Sequence, residues 1–154
     1  MSLDALVRKW FKPTKANSWL VDFVKEKEGY RSEAYQDAVG VWTIGYGITE
    51  GVEKGDIVTK EQAEEQLRVA LSRFRDYVIL RRDSWGYTWN ENQVDALTSF
   101  IYNLGRGALA QVTNRGTRSN EEIATKMKLY YNAGGVRLRG LEIRRMQESE
   151  HFSS

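Results

Sequence analysis

The chain contains no cysteine, one proline and one histidine among its 154 residues. Without cysteine it can form no disulfide framework, no thiolate zinc site and no cysteine nucleophile, and it has no thiol for redox control. Its one histidine, His151, lies three residues from the end of the sequence, where fraying is common. A Ser-His-Asp triad is therefore not expected.

Long apolar runs are also missing from the sequence. No window approaches the roughly 20 apolar residues that a transmembrane helix requires. Residues 1–17 place Asp4 among four basic residues and contain no signal-peptide core, so we expect neither an export signal nor stable membrane insertion. Apolar residues recur at helical spacing in this segment, which predicts a short amphipathic helix as an N-terminal extension.

The composition does support a folded protein. Hydrophobic residues make up 41% of the chain, which suits one compact domain with a real core. Charged residues make up 29%, and the net charge of +2 is mildly basic. Such a balance favours anionic polymers without indicating nucleic acid in particular, and we expect a monomer.

The most informative stretch is EGYRSEAYQDAVGVWTIGYG, which contains Glu28, Asp37 and Thr43. Ser18 can cap a helix that carries an apolar stripe, and Gly29 is a natural stop just after Glu28. At the C-terminal end of a helix the dipole opposes ionisation of a carboxyl group, which suits a proton donor. Glu28 is therefore a candidate general acid, although a last-turn glutamate can also be simply solvated.

The residues after Glu28 predict a hairpin. Residues 34–47 form two short antiparallel strands in this interpretation, with a turn at residues 38–40. Asp37 and Thr43 are then expected to face each other across the mouth of the hairpin. Glycoside hydrolysis requires a proton donor and a group that orients water, so this arrangement predicts a glycosidase site. The structural alternative is that Asp37 only starts a turn and Thr43 only fills a strand position.

Two glycines near the end of this stretch carry a further expectation. Gly45 and Gly47 remove side chains from one edge of the hairpin. A strand does this where another backbone or a sugar chain must come close, so a groove is predicted here.

The remainder of the chain is predicted to be helical. Capping patterns mark three helix starts, and glycines mark the ends of two of these helices. The capping pairs are Thr59 with Gln62, Asn90 with Gln93, and Ser119 with Glu122. The predicted helices cover about 59–80, 90–104, 119–131 and 141–152, and the segment 81–89 is the predicted surface loop.

The stretch EGYRSEAYQDAVGVWTIGYG resembles the active-site signature of phage-type lysozymes, glycoside hydrolase family 24, which include phage endolysins. The Glu, eight residues, Asp, five residues, Thr spacing is weak by itself, but EG, AYQD and TIGYG in register make the match specific. Three later segments fit the family in order: VTKEQAEEQL, NQVDALTSFIYNLGRGAL and AGGVRLRGLEIRR. The resemblance covers roughly residues 18–152.

The resemblance implies an α+β, lysozyme-like fold. Such a fold is mostly helical, with a small antiparallel β-hairpin sheet beside the active-site helix and two lobes joined by a long helix. In this interpretation residues 18–154 form one domain after the extension 1–17. Its parts are an N-lobe at about 18–58, a linking helix at about 59–80 and a helical C-lobe at about 81–154.

The resemblance also implies a reaction and its residues. The expected reaction is hydrolysis of the β-1,4 bond between N-acetylmuramic acid and N-acetylglucosamine in peptidoglycan, without metal or cofactor and without nucleic acid as a partner. Glu28 would protonate the glycosidic oxygen, while Asp37 and Thr43 would hold the attacking water. Tyr35, Tyr102 and Asn103 would lie along the saccharide groove. A free endolysin lacking a signal would accumulate in the host cytoplasm and need a separate membrane pore to reach the periplasmic wall.

One departure from the family pattern concerns Ile48. Members commonly have a histidine after the TIGYG run, so an ion pair that often supports the hairpin must be absent or replaced here. We expect lower stability or an altered pH dependence from this change. Three alternatives stay open: a non-catalytic peptidoglycan-binding or phage structural module, a lytic transglycosylase on the same fold, and, more weakly, a nucleic-acid binder resting on the arginines and aromatics of 81–89 and 137–145.

Overall fold

The computed structural model describes residues 18–154, so the helix predicted for residues 1–17 lies outside the described residues. Within the described range the backbone forms six helices and two small antiparallel sheets. In chain order the elements are α1 (Ser18–Glu28), β1 (Arg31–Gln36), β2 (Trp42–Gly45), α2 (Lys60–Trp85), α3 (Glu91–Leu104), α4 (Gly107–Thr113), α5 (Asn120–Met127), β3 (Asn132–Ala133), β4 (Val136–Arg137) and α6 (Arg139–Phe152).

The chain divides into two compact units, and the boundary falls inside α2. The first unit ends at Arg73, and the second runs from Phe74 to Ser154. α1 and the β1–β2 hairpin belong to the first unit, while α3 to α6 belong to the second. A mostly helical chain with one small antiparallel hairpin beside the first described helix confirms the predicted fold class.

α1 forms because its apolar residues recur on one face and are buried there: Leu20, Val21, Phe23 and Val24. The helix ends at Glu28 because Gly29 adopts a left-handed φ of +69° and donates its N–H to the Lys25 carbonyl at 3.0 Å. The described part of this helix begins at Ser18, so the prediction that Ser18 caps the helix stays untested.

The hairpin forms where predicted, but its first strand begins earlier and its register differs. Tyr35 pairs with Thr43 and Gln36 with Trp42, with an irregularity closer to the start of β1. The Asp37 N–H donates to the Val41 carbonyl at 2.9 Å, which closes the turn. Asp37 therefore lies opposite Val41, and the prediction that it faces Thr43 is wrong by two residue pairs, since Thr43 pairs with Tyr35. A turn of only three residues forces this register.

Ile48 contributes to the same region through its backbone. Its N–H donates to the Ile44 carbonyl at 3.0 Å, and the Ile44 N–H donates to the Ile48 carbonyl at 2.9 Å. These two bonds close a tight loop over residues 45–47. Two residues further on, Glu50 pairs with Arg73 of α2 at 3.3 Å, an exposed ion pair that contributes little stability by itself.

α2 begins as predicted and ends later than predicted. The Gln62 N–H donates to the Thr59 hydroxyl oxygen at 3.1 Å, and the Thr59 N–H donates to Gln62 Oε1 at 3.0 Å, so the capping box is confirmed. The helix continues to Trp85, so the prediction of a loop over 81–89 is wrong for its first five residues. The helical segment Lys60–Trp85 contains no glycine or proline, and the helix stops at Gly86, where φ reaches +77°.

The second unit has its own apolar core. This core combines the buried faces of α3, α4 and α5 with Val78 of α2, Trp89 of the following loop and Phe152 of α6. Trp89 is only 2% exposed, and its indole N–H donates to Asn120 Oδ1 at 3.0 Å. The aromatic residues after α2 are therefore largely structural.

Helix starts in this unit agree with the predictions better than helix ends do. Asn90 caps α3 with Gln93, and Ser119 caps α5 with Glu122, as predicted. α5 ends at Met127 rather than reaching residue 131, because the chain turns into the β3–β4 hairpin. α6 begins at Arg139, slightly before the predicted start. The short helix α4 was not predicted.

Candidate active site

The Glu28 side chain lies directly against the backbone of Gly47. A Cβ atom added to Gly47 would come within 3.0 Å of Glu28 Oε2 and 3.3 Å of Glu28 Cδ. Gly47 also adopts a φ of +82°, which side chains with a Cβ rarely tolerate. The half-buried carboxyl group at the end of α1 is thus held beside the loop that follows β2.

Gly45, in the same loop, lies against α2 and not against Glu28. A Cβ atom there would meet Ala63 Cβ at 3.2 Å and Ala63 Cα at 3.6 Å, so the hairpin backbone packs directly on α2. The predicted close approach at this glycine is therefore made by a helix. Together the two glycines let one loop contact α2 on one side and Glu28 on the other.

Asp37 uses only one of its two carboxylate oxygens to build the turn. Its Oδ1 accepts the N–H groups of Val39 at 3.0 Å and Val41 at 2.9 Å. Among the described residues nothing donates a hydrogen bond to Oδ2. The turn therefore fixes the orientation of the carboxylate through Oδ1 alone.

Thr43 lies on the same face of the hairpin as Asp37, two residue pairs further along. Its side chain is nearly buried, at 5% exposure, and its hydroxyl donates to the Val41 carbonyl at 3.0 Å. Because the hydroxyl proton is used in this bond, the oxygen remains an acceptor.

The other three predicted site residues are divided between the two units. Tyr35 lies opposite Thr43 in the first unit, with the Arg31 guanidinium 4.5 Å from its ring centroid. Tyr102 and Asn103 belong to the second unit, near the end of α3. Tyr102 packs edge-on against Phe74 with ring centroids 5.5 Å apart, whereas Asn103 is exposed.

A buried polar network supports Asn103. Arg145 donates from Nη2 to Asn103 Oδ1 and from Nη1 to Glu148 Oε1 at 2.5 Å. Glu148 also accepts the Ser99 hydroxyl at 2.6 Å and is completely buried. Because Arg145 holds the amide oxygen of Asn103, the amide nitrogen is left as the outward donor.

Sequence reasoning missed this network. Burial raises the pKa of the Glu148 carboxyl, while Arg145 and Arg144 oppose that rise. The available signal was the spacing of Arg144, Arg145 and Glu148, which places opposite charges three and four residues apart on one helix. That pattern is usually a solvated surface feature, and only the fold shows that it is buried.

Two kinds of feature are absent from residues 18–154. No group of three or more His, Cys, Asp or Glu side chains in this range could hold a metal ion. No helix in the same range is long and apolar enough to cross a membrane.

Comparison with known proteins identifies the family. The phage lysozyme family matches residues 25–148. The endolysin of Acyrthosiphon pisum secondary endosymbiont phage 1 is 34% identical over 138 residues, which cover 85% of this chain and 92% of the endolysin. The SAR-endolysin of Pseudomonas phage phiKMV is 33% identical over 127 residues, covering 79% of this chain and 78% of that protein.

A solved structure agrees with this assignment. The muramidase domain of SpmX from Asticaccaulis excentricus superposes with a TM-score of 0.78 at 32% sequence identity, covering 91% of this chain and 98% of that domain. The chain therefore belongs to the phage lysozyme family. As a lysozyme it is a hydrolase, and its substrate is peptidoglycan.

Proposed function

We propose that the chain is an N-acetylmuramidase that hydrolyses the β-1,4 bond between N-acetylmuramic acid and N-acetylglucosamine, with Glu28 as its general acid. The observation that carries this proposal is the placement of Glu28, whose carboxyl lies against the Gly47 backbone. A carboxyl group held in one position can deliver its proton to one atom of a bound substrate.

Glu28 acts on the leaving group. Its carboxyl proton passes to the glycosidic oxygen as the bond from that oxygen to C1 of N-acetylmuramic acid breaks, and N-acetylglucosamine leaves with a free hydroxyl group. Positive charge develops at C1 and the ring oxygen in the transition state. Glu28 is left as a carboxylate, which stabilises this charge and later regains a proton from solvent.

Asp37 and Thr43 act on the water molecule. The water donates one proton to Asp37 Oδ2 and the other to Thr43 Oγ1, so that a lone pair on its oxygen points toward C1. As the oxygen bonds to C1, Asp37 takes up one proton as general base. Support for this step comes from the Asp37 Oδ1 bonds, which orient the carboxylate and leave Oδ2 available. Attack from the face opposite the leaving group gives inversion at C1.

Contacts to the saccharide are proposed for Tyr35 in the first unit and for Tyr102 and Asn103 in the second. Aromatic rings offer flat apolar faces to sugar rings, as Tyr35 and Tyr102 can do. The outward amide nitrogen of Asn103 matches an acetamido carbonyl oxygen, because its own oxygen is already bonded to Arg145.

The setting of the reaction is also part of the proposal. The enzyme works as a monomer, without nucleic acid and without stable insertion into a membrane. It accumulates in the host cytoplasm and reaches the periplasmic wall once a separate pore has opened the membrane. Its relation to phage endolysins supports this sequence of events.

Product analysis tests the proposed reaction. Purified Gram-negative peptidoglycan is digested in water enriched in oxygen-18, and the released fragments are analysed by mass spectrometry. Reducing N-acetylmuramic acid ends that carry one heavy oxygen are expected. Anhydro ends without the label would identify a lytic transglycosylase instead, and the absence of any fragments would favour a binding module.

A further inference from the structure

Three aromatic rings on the part of α2 that lies in the second unit alternate with two guanidinium groups, that of Arg81 on α2 and that of Arg106 just before α4. The Arg106 guanidinium lies 4.8 Å from the ring centroid of Phe74 and 5.7 Å from that of Tyr77. The Arg81 guanidinium lies 5.4 Å from the Tyr77 centroid and 5.5 Å from the Trp85 centroid. We call these five residues, Phe74, Tyr77, Arg81, Trp85 and Arg106, the arginine ladder.

The two arginines of the ladder lack carboxylate partners among residues 18–154. Most other arginines of the second unit form ion pairs, such as Arg75 with Asp95 at 3.0 Å and Arg137 with Glu142 at 2.6 Å. For Arg81 the side-chain hydrogen bond in this range goes to the neutral hydroxyl oxygen of Tyr77 at 3.3 Å. The ladder therefore presents two positive charges that the described residues do not neutralise.

The three aromatic rings of the ladder are fixed in position, so they restrict the movement of the two guanidinium groups stacked on them. Phe74, Tyr77 and Trp85 are partly buried and pack on the apolar core of the second unit. Gly116 lies so close to Trp85 that an added Cβ would meet the indole Cγ at 2.4 Å, so this ring has little freedom to move. A guanidinium stacked on a fixed ring loses less conformational entropy when it binds a ligand than a free side chain does.

We propose that Arg81 and Arg106 form a subsite for the carboxylates of the peptides attached to N-acetylmuramic acid. This inference rests on the proposed function, because it assigns part of the same substrate to a second surface. Guanidinium groups match carboxylates through paired hydrogen bonds. One end of the ladder also meets the saccharide candidate Tyr102, which packs edge-on against Phe74 at 5.5 Å.

Nucleic acid is a poorer match for the same surface. Single strands bind proteins by stacking bases on open aromatic faces along a longer basic groove. In the ladder the arginines themselves occupy ring faces, and the chain carries a net charge of only +2. The separate carboxylates of a short peptide require only two cations.

Binding measured without turnover tests the subsite. In a Glu28→Gln background, the affinity for a soluble N-acetylglucosamine–N-acetylmuramic acid tetrapeptide is measured by calorimetry at low salt. The same disaccharide without its peptide serves as the second ligand. Replacing both ladder arginines, Arg81→Gln with Arg106→Gln, should weaken binding of the peptide-bearing ligand about tenfold, because two charge-assisted contacts are lost. Binding of the bare disaccharide should not change.

A matched pair of substitutions controls for net charge. Lys54→Gln with Lys128→Gln also removes two positive charges, at exposed positions outside the ladder, and should leave both affinities unchanged. If the double arginine variant does not fold, Arg106→Gln alone is used, since Arg106 is exposed. Equal affinity of ladder variant and parent for the peptide-bearing ligand would overturn the inference. So would a loss that is the same for both ligands, or duplex DNA binding that depends on the same two arginines.

The outcome also separates this inference from the proposed function. The binding assay uses an inactive background and gives a result whether or not the parent chain cleaves peptidoglycan. If the parent chain releases labelled reducing ends, the proposed reaction stands. If the ladder variant then shows no loss of affinity specific to the peptide-bearing ligand, only the subsite is ruled out.

Discussion

The carboxyl group of Glu28 and the backbone of Gly47 are so close that one added carbon atom on Gly47 would lie 3.0 Å from Glu28 Oε2. Glu28 ends α1, whereas Gly47 follows β2 in a loop closed by the Ile44 and Ile48 backbones. The contact therefore joins a helix end to a hairpin, and it depends on the absence of a side chain at one position.

Gly47→Ala should reduce peptidoglycan hydrolysis roughly 100-fold, because a shift of the Glu28 carboxyl by about 1 Å misaligns the proton donor. The left-handed backbone at this position should also cost about 1–2 kcal/mol of folding free energy. Gly51→Ala is the matched control, since Gly51 has a φ of +70° with no atom within 4 Å of the added carbon. It should lose similar stability and keep its activity. Equal kcat values for the two variants would contradict the role of the contact.

Asp37→Asn should preserve the hairpin and abolish most activity. An asparagine can still accept the Val39 and Val41 N–H groups, but it cannot take a proton from water. The loss of a general base should lower kcat by about 100-fold or more. Asp37→Ala should in addition lower the unfolding free energy by about 1 kcal/mol, since the turn loses its acceptor. Urea unfolding measured in parallel with turnover separates the loss of stability from the loss of kcat. Unchanged turnover in Asp37→Asn would rule out Asp37 as the general base.

Glu148→Gln should destabilise the second unit by about 3 kcal/mol. The substitution removes the negative charge that faces the buried Arg145 and Arg144, while the Ser99 contact can persist. Glu142→Gln, on the same helix, removes a carboxylate that pairs with the largely exposed Arg137, and it should hardly change the urea midpoint. Comparable midpoints for the two variants would show that the buried network adds no stability.

Stability should fall as the pH drops below about 6.5, and His151 should account for part of that fall. Burial lowers the pKa of the imidazole in the folded chain, against an opposing effect of Asp95. Between the lowered folded pKa and the ordinary unfolded pKa the unfolded chain binds more protons, so acid favours unfolding. His151→Gln should flatten the dependence of Tm on pH in the range just below about 6.5. A slope identical to that of the parent would show that another group is responsible.

Local signals explain why the helix starts were predictable from the sequence. The pairs Asn90 with Gln93 and Thr59 with Gln62 lie within one turn, so a short stretch of sequence contains all the contacts that fix the start. The end of α2 was misplaced for the opposite reason. Its last turn is held by Trp85 against Gly116, a contact with a residue 31 positions away that sequence periodicity cannot show.

In the candidate site, too, local features could be predicted from the sequence and long-range contacts could not. The catalytic candidates were found because Glu28, Asp37 and Thr43 lie in one short stretch with a family signature. The turn at residues 38–40 was also predicted, but the pairing of Asp37 with Val41 that this turn imposes was not drawn from it. Ser99 and Glu148 lie 49 residues apart, so their buried contact could not be predicted.

The role of Glu28 as general acid is tested by replacing it with glutamine and comparing the variant with the parent on purified peptidoglycan. Glutamine keeps the size and hydrogen bonding of the side chain but carries no acidic proton. The variant should keep the thermal unfolding curve of the parent and its binding to peptidoglycan sacculi. It should release no reducing N-acetylmuramic acid ends, whereas the parent releases them. Substantial turnover by the folded variant would contradict the assignment of Glu28 as the catalytic acid.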